Sequence, residues 1–111
     1  MDIRKLMELV AVSWKFGKKN YPRIPVESTE VRTEFALKHI HLHMSFEVGE
    51  LAKILEAGDH ASGLFISIEQ GRHIARNFIL NGLKLAEILG VTHEEIVAEL
   101  LTGYLENKYK T

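Results

Sequence analysis

Both prolines of this 111-residue chain, Pro22 and Pro25, fall in one short stretch, and no proline follows Pro25. Proline removes a backbone donor and breaks a helix interior. Its confinement therefore leaves one segment before residue 18 and a long one after residue 27 free to be helical. The apolar spacing fills both. Ile3, Leu6, Met7, Val10 and Trp14 recur at helical period, and Gly17 stands where a C-cap belongs, which predicts a helix over about 2–17. Residues 18–27 form the connection. Ser28 or Thr29 caps a second helix, with Glu30 in its first turn, that runs to about Ala57 and stops at Gly58-Asp59. Its apolar residues lie on most sides, the pattern of a central, buried helix. After a turn over 58–63, a third helix is expected from about Leu64 to Leu89, with an irregularity at Gly71 and an end at Gly90. Thr92-His93-Glu94-Glu95 reads as a capping box that opens a fourth helix reaching about Asn107. No strand alternation and no repeat interrupts this series. The pattern defines an all-α bundle of four to five helices in a single helical domain, 1–111.

Composition narrows the function classes. A formal net charge of -1 disfavours a protein built to neutralise a phosphate backbone, so nucleic acid is not the expected partner. Cysteine is absent, which removes disulfides, thiolate zinc sites and cysteine nucleophiles. No apolar run approaches the roughly 18 residues of a membrane span, and the N-terminus lacks a signal-peptide core. A cytoplasmic protein is expected.

The chemistry concentrates in the second helix. His39, His43, Glu47 and Glu50 fall on one face, within an arc of roughly 80° on a 3.6-residue helix. His41 points elsewhere. Two carboxylates at i and i+3 on a half-buried face repel, and a cation should offset them. An ordinary E-x-x-E is a solvated or salt-bridged face. Here the flanking apolar residues argue for burial, and buried carboxylates need partners.

The stretch Phe46-Glu47-Val48-Gly49-Glu50-Leu51-Ala52-Lys53-Ile54-Leu55 resembles the first metal-binding helix of the MazG-like, all-α nucleoside triphosphate pyrophosphohydrolases. Leu83-Lys84-Leu85-Ala86-Glu87-Ile88-Leu89-Gly90-Val91-Thr92 resembles the end of that family's second metal helix. Leu105-Glu106-Asn107-Lys108-Tyr109-Lys110 is similar to its basic tail. The resemblance covers about residues 30–110. It implies a house-cleaning hydrolase that converts a nucleoside triphosphate to the monophosphate and pyrophosphate, with Glu47 and Glu50 as catalytic metal ligands and Mg²⁺ as cofactor. It also implies a homodimer or higher homo-oligomer. Lys53, Arg72, Arg76, Asn107 and Lys108 become candidate substrate-binding residues, as do Lys84 and Lys110, although each cation is by default a surface charge. Trp14, Phe35, Phe46, Phe65 and Phe78 are available for base stacking, with core packing as their ordinary use.

The pattern departs from the family in one place. Its E-x-x-D would fall on Ile74 and Asn77, neither of them acidic. Asn77 offers only a neutral carbonyl oxygen. Glu69, His73 and Asn77 form an i, i+4, i+8 stripe, and a register shift would bring Glu69 to the site. Two readings follow. In one, His39, His43 and His73 supply imidazoles beside Glu47, Glu50 and Asn77, a mixed site that suits Zn²⁺, Mn²⁺, Fe or Ni better than Mg²⁺. In the other, Arg72 or Arg76 neutralises the carboxylates, no metal binds, and the chain is a non-catalytic dimeric bundle that serves interaction. A third class, a helix-turn-helix DNA-binding protein, fits the spacing of Ala86, Gly90, Val91 and Ile96. Its recognition helix would open on His93-Glu94-Glu95, which repels phosphate.

Overall fold

A computed structural model describes residues 1–60 and 67–105. The described chain is an all-helical bundle: α1 Ile3–Ser13, α2 Thr29–Gly58, α3 Ile68–Leu89 and α4 His93–Ala98, the last continued by a π-helical segment, Glu99–Leu105. No described helix is long and apolar enough to cross a membrane.

Each start has a side-chain cap. Asp2 accepts from the Lys5 amide at 3.0 Å and Ser28 from the Val31 amide at 3.2 Å. Thr92 and Glu95 form the reciprocal capping box that their spacing predicts. Gly90 ends α3 at φ 73°, a left-handed conformation that glycine adopts without a Cβ penalty.

Four expectations are corrected. The first helix does not reach Gly17. Trp14 is extended (φ -118°, ψ 99°), and its indole Nε1 donates to the Tyr21 hydroxyl at 2.9 Å, which folds the following connection back on itself. Gly17 instead accepts from the amides of Asn20 and Tyr21. The third helix starts at Ile68, because Ser67 is its N-cap and shares a capping box with Gln70. The expected start at Leu64 and part of the 58–63 turn lie outside the described residues. α3 passes through Gly71 without a break. The fourth helix changes from α to π after Ala98, where the Thr102 hydroxyl donates to the Ala98 carbonyl at 2.6 Å. Its expected end at Asn107 lies outside the described residues.

The fifth difference concerns burial. α2 packs on α3 and carries the connection after α1 on Phe35 and His39, α1 packs on α3 and touches α4, and no other described helix covers α2. Only Ala36, Ile40 and Glu47 of α2 are buried, so within one chain it is a one-sided helix rather than an enclosed one. The core of the described residues is Val10, Ile24, Ala36, Ile40, Ile74 and Ala86. Ile40 is its most enclosed large side chain, at 1% exposure. Ile40→Ala should therefore cost about 2–5 kcal/mol, the range for truncating a buried isoleucine. Thermal melts followed by helical circular dichroism would measure it, and a loss under 1 kcal/mol would mean that this core is not what holds α2.

Candidate functional site

The functional residues gather along the α2–α3 interface, where two clefts share Glu47 as their dividing wall. Helical spacing turns Glu47 toward α3, and there it is only 7% exposed. Its Oε1 accepts from Asn77 Nδ2 at 2.7 Å. Asn77 is held in turn: its Oδ1 accepts from Arg76 Nε at 3.2 Å and Arg76 Nη2 at 3.1 Å. The same Nη2 lies 3.1 Å from His73 Nδ1. Arg76 thus acts on Glu47 through an amide and not by direct contact. Arg72 and Lys53 are exposed, and Asn107 and Lys108 lie outside the described residues.

The first cleft, about 360 Å³, is lined by Glu47, Glu50, Glu69 and His73, with Phe46, Ile54, Gln70 and Ile74 completing it. Glu69, reached in the sequence only through a register shift, does face this cleft. Ile74 is in place too, as a buried apolar wall where the family pattern would put an acid. The second cleft, about 260 Å³, is lined by Trp14, His43, Phe46, Glu47, Asn77, Leu80 and Asn81. His43 therefore stands in a different cleft from His73. The set Glu47, Glu50, Asn77, His43 and His73 does not converge, and among the described residues no three His, Asp or Glu side chains are gathered to hold an ion. The residues as arranged do not fit the divalent cation that the resemblance implies.

The histidines have an aromatic setting instead. His43 stacks on Trp14 (centroids 5.5 Å, 12°) and parallel to His39 (6.2 Å, 13°). His39 packs against Phe35 at 4.4 Å and Tyr21 at 4.9 Å, and Tyr21 stacks on Phe16 at 4.7 Å. This ladder fastens the connection after α1 to α2. The sequence signal for it was present, since Trp14, Phe16 and Tyr21 cluster ahead of Phe35, His39 and His43 at helical spacing. Nothing in the spacing, however, shows that the connection folds back. Lys84 is a correction: it is not a surface cation but 2% exposed, with Nζ 2.9 Å from Glu87 Oε2 and about 6 Å from the rings of Trp14 and Phe16. Phe65 and Lys110 lie outside the described residues.

No protein-family model, curated protein or solved structure matches this chain.

Burial, then the neighbouring His43 and Lys38, hold the His39 pKa below its ordinary value. The unfolded chain therefore takes up a proton first as pH falls. The contribution of neutral His39 is complete above about 6.5 and is lost as pH falls through its folded pKa. Melting temperature should drop on acidification from pH 7.5 to 5. His39→Phe, which keeps a ring in the ladder but cannot titrate, should show a smaller drop; an equal drop would remove His39 as the cause.

Proposed function

We propose that this protein is a self-associating helical bundle that serves binding and not metal-dependent hydrolysis. The observation that carries this reading is the apolar surface left bare on α2. Leu37, Met44, Val48, Leu51 and Leu55 follow one another at intervals of seven, four, three and four residues, the spacing of a coiled-coil seam. Val48 is 56% exposed and Leu55 46%, Leu37, Met44 and Leu51 are half-buried, and α3 is the one described helix that packs on α2. The single chain exposes 8511 Å², against about 6,200 Å² for a compact monomer of its mass. Its radius of gyration is 17.2 Å, against about 13 Å for a compact domain of this length. A stable protein–protein interface removes about 800 Å² from each partner. A second copy is the occupant that fits, because the same seam on both chains is self-complementary around a two-fold axis. Static light scattering after gel filtration should give twice the chain mass at micromolar concentration, and Val48→Lys/Leu55→Lys should return a monomer with lower thermal stability. A monomeric parent protein would sink this reading.

A second reading, hydrolysis of a nucleoside triphosphate to the monophosphate and pyrophosphate, is favoured by the first cleft. Glu47, Glu50 and Glu69 face it, and among the described residues no lysine or arginine lines it. Among the described residues, neither Glu50 nor Glu69 has an ion-pair partner. Glu69 is exposed and Glu50 partly so, which leaves both side chains free to turn. Mg²⁺, Mn²⁺ and Zn²⁺ are the ions to test. Calorimetric titration should detect no binding tighter than millimolar if the first reading is right. Micromolar Mn²⁺ binding that is lost in Glu47→Gln/Glu50→Gln, together with pyrophosphate release from a nucleotide, would establish the second reading in its place.

A further inference from the structure

The second cleft carries two unmet demands for hydrogen-bond donors. Asn81 is 4% exposed. Its Nδ2 donates to the Asn77 carbonyl at 2.8 Å, which fixes the amide's orientation, and its Oδ1 is buried with no hydrogen-bond partner among the described residues. Buried acceptors are nearly always satisfied, and each exception calls for a physical account. Glu47 presents the other demand. It is a buried carboxylate with one hydrogen bond from a neutral amide, and among the described residues it has no ion pair. The cation nearest in this network, Arg76, is engaged with Asn77 and His73.

The remaining walls narrow what could answer. Trp14, Phe46 and Leu80 are apolar, two of them aromatic, while the other two walls are His43, its ring stacked on Trp14, and Asn77, its amide held by Glu47 and Arg76. A hydrated inorganic ion would meet those rings without ligands on that side. A planar organic cation meets both requirements: its edge supplies parallel N–H donors, and its weakly hydrated faces pack on aromatic rings. A volume of about 260 Å³ suits a small head group and not a whole nucleotide.

We infer that this cleft binds a guanidinium or amidinium group, with Glu47 and the Asn81 Oδ1 accepting its N–H groups and Phe46 covering a face. The group can belong to a free small molecule or to an arginine side chain of a peptide. The inference does not depend on self-association, since none of the α2 seam residues lines this cleft.

Trp14 is the only tryptophan in the chain, so its fluorescence reports the cleft directly. Methylguanidinium and the tripeptide Gly-Arg-Gly would be titrated at constant ionic strength, with n-butylammonium and Gly-Lys-Gly as matched controls. Saturable fluorescence change with a guanidinium probe, at least tenfold weaker with its ammonium counterpart, is expected. Asn81→Leu and Glu47→Gln should each weaken it at least tenfold, and Glu47→Gln guards against Asn81→Leu failing to fold. A tripeptide that binds at least tenfold tighter than methylguanidinium assigns the site to an arginine side chain; similar affinities assign it to a free small molecule. No saturation, equal response to ammonium, or unchanged affinity in Glu47→Gln would overturn the inference and leave water as the partner of Asn81.

Discussion

Glu47 is a carboxylate at 7% exposure on α2, where that helix meets α3. Burying a charge there is costly unless donors reach it. The donor is Asn77 Nδ2 at 2.7 Å, and Asn77 is aligned by Arg76 from the solvent side. This chain of contacts fixes how α2 faces α3. The hydrogen bond requires the two helices to meet with residue 47 opposite residue 77. That register in turn places Ile40 and Ile74 in the core and Glu50 and Glu69 on the rim of a cleft. A neutral amide in this position does something a carboxylate could not. It donates to Glu47 without adding a second negative charge, so the pair is stable without a metal ion between them.

The consequence for the fold is a bundle whose interior holds charged and polar groups beside a small apolar core. Lys84 is enclosed with Glu87 beside it and aromatic rings around it. The Trp14–His43–His39 ladder pins the connection after α1. Yet Val48 and Leu55 on one side of α2, Leu42 and Phe46 on another, and Ile79 on α3 remain open. Scattered exposed apolar residues are ordinary. A row at heptad spacing along a 30-residue helix is not, because it presents a continuous stripe to a partner of the same shape.

Most of the architecture was legible in the sequence because it rests on local rules. Ser28, Gly90 and the Thr92–Glu95 box mark ends through groups within four residues of one another, and those ends fall where spacing puts them. Ser67-Ile68-Glu69-Gln70 carries the same signature as the Thr92 box; the apolar residues ahead of it masked the signal. Trp14 ended α1 early for a reason no local rule contains. Its partner, Tyr21, is across a turn, and tertiary contact overrode the helical period. Lys84 was illegible for the same reason, since its burial depends on where α1 and its connection return to α3.

The candidate site shows the limit of reasoning from one face of one helix. The arc holding His39, His43, Glu47 and Glu50 is real as a stripe, but a stripe more than ten residues long spans more than one cleft. At 1.5 Å per residue, residues 43 and 50 stand roughly 10 Å apart along the axis, too far for one small ion. His43 therefore belongs with Trp14 and Asn81, and Glu50 with Glu69 and His73. Glu47, midway between them, is the only residue of the four that faces both. Which partner it takes is decided by α3: Asn77 lies on the His43 side, and its amide turns a carboxylate that could have served a cation toward a hydrogen-bonded interior. One side chain on the facing helix, and not the motif itself, determines which chemistry the motif can support.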